Sequence, residues 1–490
     1  MRLQAFFVAA LAAAAPAICD ASEASITFTK LWTHTHATPG HLSEIPAYDA
    51  RTHTIWVAGV VGVDVLDAAT GALIKHIAVP ACGAAVVAPC GSVNSVAIHN
   101  GLAAFAIESS DRTAPGSVAF YDTSTRVQTG HVAVGALPDM LAFTHDGSRL
   151  LVANEATPYV YGSRIGTSVP WVFAAPAADP AGSVSIIDVE TRSVIATPGF
   201  AGVPTYGSHL RTNTGMDFEP EYIAIASDGT RAFVTLQEAN AIAVLDFASN
   251  AFTAVIGLGA KDFSRPGNQI DPLDGDGKVE FISPTAKGLY MPDGIAAYKW
   301  RGRTFLAMAN EGDFREDDAD RSEASKLGAV SPLNRLRVSA TDSSPGDLYA
   351  AGARSFSIRD ESGDLVYDSG DILDKEANRL GIYNDGRSRD KGVEPEGIAL
   401  HDIRGRTYAF VGLERTTKSA VAVFDVTDPY DVAFVDMIVG EGDVSPEGIV
   451  VFRHRGTDYL AVAHEVSNTT TLHRIDRARR PDDRYLPLIP

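Results

Sequence analysis

Five pairs of acidic residues recur along the chain, each opened by a proline. Pro138-Asp139 leads to Glu155, Pro220-Glu221 to Glu238, Pro292-Asp293 to Glu311, Pro395-Glu396 to Glu414 and Pro446-Glu447 to Glu465. The two acids of a pair stand 16 to 18 residues apart, the length of two short strands and a tight turn. If the start of one strand and the end of the next share a rim, all ten acids converge, and Glu108 joins them. So many carboxylates cannot all stay ionised: their pKa values rise, or cations bind among them. An all-oxygen donor set without thiolates selects a hard cation, calcium first and magnesium second. Asp293, Glu311, Asp313, Glu396 and Glu414 are the leading ligand candidates, because Asn310-Glu311-Gly312-Asp313 sets two carboxylates side by side. Glu221, Glu238, Glu447 and Glu465 complete the set. The plainer reading is equally open: the acids bond neighbouring backbone amides, and arginines neutralise the rest.

Other clusters carry less. Asp274-Gly275-Asp276-Gly277 places carboxylates at alternate positions of a glycine-rich turn, a second calcium candidate. It departs from an EF-hand loop, with Pro272 at the first ligand position and Ser283 where the bidentate glutamate belongs. His34, His36 and His41 lie close together without a partner spacing, and read as surface histidines. There is no Gly-x-Ser-x-Gly elbow, no His-Glu-x-x-His and no phosphate loop.

The elements that must position the acids are hairpins. Asp146-Gly147 and Asp228-Gly229 are two-residue turn signals between apolar runs, and Arg301-Gly302, Arg404-Gly405 and Arg455-Gly456 fall at the equivalent place. A third strand ending in an acid often follows, as at Ser117–Asp122, Ser183–Asp188, Ala241–Asp246 and Ala420–Asp425. Two weaker units precede the five, around Ile45–Asp67 and Asn94–Asp122. Seven repeated four-stranded units predict an all-β, seven-bladed β-propeller. The last unit lacks a fourth strand, which the alternating segment Ser25–Trp32 is expected to supply, closing the ring. Insertions interrupt the array near 157–180, 196–218, 259–290 and 313–353, the last read as a surface excursion.

Bulk properties bound the partners. A chain of 490 residues, 45% apolar and 21% charged, buries a large core. Its formal charge of −20 argues against nucleic acid and anionic membranes. Arg2, the apolar run Leu3–Ala15 and Ala15-Pro16-Ala17 read as a secretory signal ending by residue 21, which leaves 22–490 as one propeller. No later segment spans a bilayer, and a monomer is expected. Of the three cysteines, Cys82 and Cys90 sit eight apart in a Gly/Pro/Ala-rich loop suited to a local disulfide in an oxidising compartment.

Met291–Ala296, Ala309–Asp313, Arg354–Ile358 and Gly392–Gly397, with the Asp274–Gly277 loop before them, resemble the choice-of-anchor I family. That family groups secreted bacterial proteins with animal mesenchyme-specific cell-surface glycoproteins. The resemblance implies a secreted propeller, linked in animals to calcified matrix and in some bacteria labelled alkaline phosphatase-like. Members often end in a surface-anchoring signal. Arg474–Pro490 carries neither an apolar tail nor a sorting motif, so a released or periplasmic protein is expected.

Three readings stay open, one of them that the acids are structural and a long insertion binds a protein partner. Another is a calcium-binding scaffold or binding module with an extracellular protein or polysaccharide partner. The third is a calcium-dependent phosphoesterase, alkaline phosphatase- or phytase-like, in which Arg315, Lys391 or Arg415 holds the phosphate of an ester while the metal activates water.

Overall fold

The computed structural model describes residues 26–78, 90–158, 180–211, 218–314 and 320–477. The expected leader (1–21), Cys82 and Arg315 lie outside these residues. Among the described residues strands dominate, and the one α-helix is the eight-residue Ile372–Arg379. Among the described residues no helix is long and apolar enough to cross a membrane.

Among the described residues seven sheets of four strands or more, built of antiparallel hairpins, follow one another along the chain. Their first strands are Pro46–Asp49, Cys90–His99, Pro138–Phe143, Pro220–Ile225, Ile295–Trp300, Pro395–Ile403 and Pro446–His454. Six sheets have four strands, and the fourth gains a fifth when Thr205–Ser208 pairs parallel to Ala251–Leu258. In the seventh sheet the outer position is taken by Ile26–Thr35, antiparallel to Thr469–Arg477 from the far end of the chain. Each first strand touches the first strand of the next sheet, and the seventh touches the first.

Burial explains the sequence pattern. Second strands such as Thr54–Gly59 and Arg231–Leu236 are covered on both faces and read as continuous apolar runs. Outer strands such as Val127–Ala136 alternate, because one face meets solvent. Apolar clusters fill every gap between successive sheets, including the gap between the seventh and the first, where Ile55, Val57 and Leu66 meet Phe452, Ala461 and Leu472.

The turn residues do what their types predict. Arg301-Gly302, Arg404-Gly405 and Arg455-Gly456 hold positive φ at both positions, the twist a two-residue hairpin needs. The acids that end the third strands are structural. Asp122, Asp188 and Asp246 accept from the backbone N–H and hydroxyl of Thr125, Thr191 and Ser249 and fasten the next turn.

The insertions near 259–290 and 313–353 are more than an excursion. Strands Ala260–Asp262, Lys287–Leu289 and Tyr349–Ala350 form a small sheet. Phe263, Ile270 and Ala286 from one insertion share a core with Ala324, Leu336, Val338 and Leu348 from the other.

Candidate functional site

The Pro-acid pairs have a local cause. In four sheets the proline pairs with the last residue of the second strand, and then one extra residue bulges out: Pro138/Leu141, Pro220/Ile223, Pro395/Ile398 and Pro446/Ile449. A bulge re-aims the side chain it carries, here the acid. Before four of the prolines stands a non-glycine residue in the left-handed region: Leu137 (φ 44°), Met291 (42°), Glu394 (53°) and Ser445 (64°). Such a residue costs about 1–2 kcal/mol. Its carbonyl is turned to accept the N–H of the paired acid in three sheets, Leu137 from Glu155, Glu394 from Glu414 and Ser445 from Glu465, and Met291 accepts from Gly312. The two acids of a pair are thereby held on one rim.

The three Pro-acid-Gly sequences answer to crowding. A Cβ at Gly294, Gly397 or Gly448 would lie 2.5, 2.3 or 2.5 Å from the carbonyl oxygen of Glu396, Glu447 or Glu44 in the next sheet. Gly397→Ala is therefore expected to destabilise the protein by about 3 kcal/mol, read by urea unfolding. A loss below about 0.5 kcal/mol, the range of an indifferent surface change, contradicts this packing.

The acids then meet. A cavity of about 330 Å3 is lined by one residue or more from the leading edge of every sheet: Glu44, Asn94, Asp139, Glu221, Asp293, Glu396 and Glu447, with Glu155 beside them. An adjoining space of about 460 Å3 shares Glu44, Glu396 and Glu447 and adds Glu311, Asp313, Glu394, Glu414 and Glu465. Glu396, Glu414 and Glu447 each present an oxygen within 4.8 Å of the others, as do Glu311, Glu394 and Glu414. Oxygens on opposite sides of a calcium ion at ~2.4 Å lie about that far apart.

Burial and mutual repulsion push these carboxyls toward the protonated form. Burial, then Glu447 and Asp139, raises Glu44 to about 9. Burial, then Glu311 and Glu447, raises Glu414 to about 8. Glu447 rises to about 7, from burial and then Glu465, against a hydrogen bond with Glu396. Asp139 rises to about 6, from burial and then Glu108. Glu221, Asp293 and Glu396 are driven well above the ordinary range by burial first and by neighbouring carboxylates second. The buried Glu221 Oε2 and Glu396 Oε2 have no hydrogen-bond partner. Unpartnered oxygens in a pocket rich in carboxylates fit a hard cation.

One edge of the larger space is basic. Lys391 is buried, its Nζ 2.5 Å from Glu311 Oε1, 3.1 Å from Glu394 Oε2 and 3.8 Å from Asp313 Oδ1. Gln237 donates to the other Glu311 oxygen at 2.9 Å. Arg387 pairs with Glu394 at 2.5 Å and Arg415 with Glu414 at 2.6 Å. Arg321 and Arg337 complete the lining. The Lys391 loop is set by Arg354, buried, which donates to the carbonyls of Asp271, Ser388 and Asp390 at 3.1, 2.6 and 3.0 Å.

The remaining sequence candidates lie elsewhere. Glu238 does not line either space, though its charge reaches Glu221. Glu108 accepts from the Ser92 N–H. Asp274 sits between Arg335 (2.9 Å) and Arg389 (3.3 Å), and exposed Asp276 accepts from the Lys278 N–H, so neither joins the central acids. Cys90 is disulfide-bonded. The surface reading of His36 and His41 is overturned: they are 4% and 1% exposed. Sequence reasoning passed over Glu44, whose acid precedes Pro46 by two residues instead of following it, and Glu394, which sits just before Pro395.

Over 130 residues the chain is 25% identical to a mesenchyme-specific cell surface glycoprotein of Strongylocentrotus purpuratus, a match covering 23% of this chain and 16% of that protein. Its fold is similar to a chain in the crystal structure of the mitotic checkpoint complex (TM-score 0.50, 11% identity, 97% of this chain and 98% of that one). It is equally similar to a chain of hydrazine synthase from Kuenenia stuttgartiensis (TM-score 0.51, 12% identity, 90% and 97%). These likenesses show a β-propeller-like, all-β fold and nothing of activity. Residues 44–429 match the choice-of-anchor I domain, so the chain belongs to the choice-of-anchor I family.

Proposed function

We propose that this chain is an extracellular or periplasmic β-propeller of seven blades, closed by its N-terminal strand, that binds calcium in its central acidic cavity and acts as a binding or scaffold module. The observation that carries the reading is the cavity itself: carboxylates from six of the seven sheets face one another in it. Glu396, Glu414 and Glu447 are the first ligands, with Asp293, Glu221 and Glu44 around them. Magnesium is second, because it demands a tighter octahedron than a flexible ring of glutamates offers. The family and the sea-urchin cell-surface relative support the compartment. An extracellular protein or polysaccharide is the partner class.

The basic edge favours a second reading, a metal-dependent phosphoesterase. Lys391, Arg387 and Arg415 stand beside the carboxylates that would hold the ion. A bound cation supplies Lewis acidity and an activated water. The chain's part is to hold the ester phosphate with Lys391 and Arg415 once the ion has drawn Glu311 and Glu414 away from them. Calcium titrated into metal-stripped protein separates the readings when combined with p-nitrophenyl phosphate turnover. Glu396→Gln with Glu447→Gln is expected to lower calcium affinity on the order of a hundredfold. Binding without turnover supports the scaffold, binding with turnover the esterase, and unchanged affinity in the double variant removes both.

A further inference from the structure

A second polar cluster lies outside both acidic spaces, at the seam between the seventh sheet and the first. At its centre is Asp64 on strand Gly62–Asp67, with a fully buried side chain. His36 Nδ1 reaches Asp64 Oδ2 at 2.7 Å, His76 Nδ1 reaches Oδ1 at 2.7 Å, and His41 Nε2 lies 3.8 Å from Oδ2. The His36 and His41 rings stack 4.4 Å apart, and His34 meets His36 edge-on at 4.8 Å. The contributors come from distant parts of the chain: the N-terminal strand and the loop after it, two strands of the first sheet, and Thr470 of the seventh, whose hydroxyl bonds His36 Nε2 at 2.8 Å.

Two ring nitrogens in this cluster have nothing to bond. His41 Nε2 and His34 Nε2 are buried without a hydrogen-bond partner. His41 is 1% exposed and turns its Nδ1 to Asn468 Oδ1 at 3.4 Å, and His34 bonds the Gly71 backbone. One ring nitrogen anchored and the other bare is the arrangement of a histidine that ligates a metal. Gly59 lets the loop that carries His41 pack this closely: a Cβ there would lie 2.0 Å from the Leu42 carbonyl oxygen and 2.6 Å from the His41 ring.

We propose that His34, His36, His41 and Asp64 form a site for a divalent transition-metal ion, zinc foremost, that fastens the N-terminal segment across the seam. His34, His36 and Asp64 each offer a donor within 4.8 Å of the others, and His41 Nε2, 3.8 Å from Asp64 Oδ2, adds a third imidazole; His34 and His41 bring bare nitrogens, whereas His36 must exchange its bond to Asp64 or Thr470 for the ion. Three imidazoles and one carboxylate are a tetrahedral zinc set and a poor one for calcium. His76 is a positioning residue, holding the second oxygen of Asp64.

The test uses the full chain, stripped with chelator and kept in saturating calcium so that the acidic cavity does not compete. Zinc chloride titrated by calorimetry is expected to bind at one equivalent with submicromolar affinity and to raise the Tm. Cobalt(II) in its place is expected to give the strong visible absorption of a tetrahedral site. His41→Ala is expected to cut zinc affinity at least about a hundredfold, while Glu396→Gln with Glu447→Gln leaves it unchanged. His34→Gln, at a half-buried position, serves if His41→Ala does not fold. No stoichiometric zinc binding by the wild type overturns the site. So does affinity that survives the histidine changes or follows the glutamates.

Discussion

Replacing Lys391 with methionine is expected to destabilise the protein by about 3–5 kcal/mol at neutral pH, the cost of breaking a buried ion-pair network from one side. Methionine keeps the length of the stem, so packing changes little. The loss comes from Glu311 and Glu394, which Lys391 holds at 2.5 and 3.1 Å deep in the protein. Gln237 and Arg387 remain to serve them, but as one neutral amide and one half-buried guanidinium. Urea unfolding at pH 7 measures the loss. An effect below about 1 kcal/mol, the range of an exposed pair, contradicts the network.

Stripped of metal, the protein is expected to lose stability as pH rises from 5 to 9. The sign follows from the direction of the shifts. In the folded state Asp139, Glu447, Glu414 and Glu44 keep their protons to about 6, 7, 8 and 9, whereas in the unfolded chain they titrate near the ordinary 3.8 and 4.5. The folded state therefore binds more protons across this window. The stability these groups contribute is complete below about pH 4 and drains away as pH climbs through each folded value. Each retained proton is worth about 1.4 kcal/mol per pH unit. Calcium is expected to reverse the trend by taking the place of the protons. At a hundred times its Kd one site returns about 2.7 kcal/mol, roughly 3 °C in Tm for a chain of this length. A Tm in chelator that is flat or rising between pH 5 and 8 contradicts raised carboxyls in the cavity.

Much of this was legible because the repeat writes its own punctuation. Arg-Gly and Asp-Gly turns between apolar runs located the hairpins, and the recurrent Pro-acid pair located the rim where the acids meet. The bulge after proline and the left-handed residue before it have no signature of their own, since Leu137, Met291, Glu394 and Ser445 share no side-chain chemistry. The basic edge was half legible: Lys391 and Arg415 stood out beside acids in the sequence, but not that each is paired to them. Asp64 was hidden because a lone acid inside Val63-Asp64-Val65 looks like the solvent side of a strand. Here that side is covered by a segment from the other end of the sheet order. The joint core of the two insertions was hidden for the same reason, as the hairpin of Ile295–Trp300 and Arg303–Asn310 separates its halves in the chain.

Calcium is expected to displace protons from the carboxylates of the cavity. Calorimetric titration of calcium into stripped protein at pH 7, repeated in two buffers of different ionisation enthalpy, counts those protons. Saturable binding with release of about one proton or more per calcium is predicted, because Glu414 and Glu44 hold theirs to about 8 and 9. Absence of binding, or binding with the same heat in both buffers, contradicts the account.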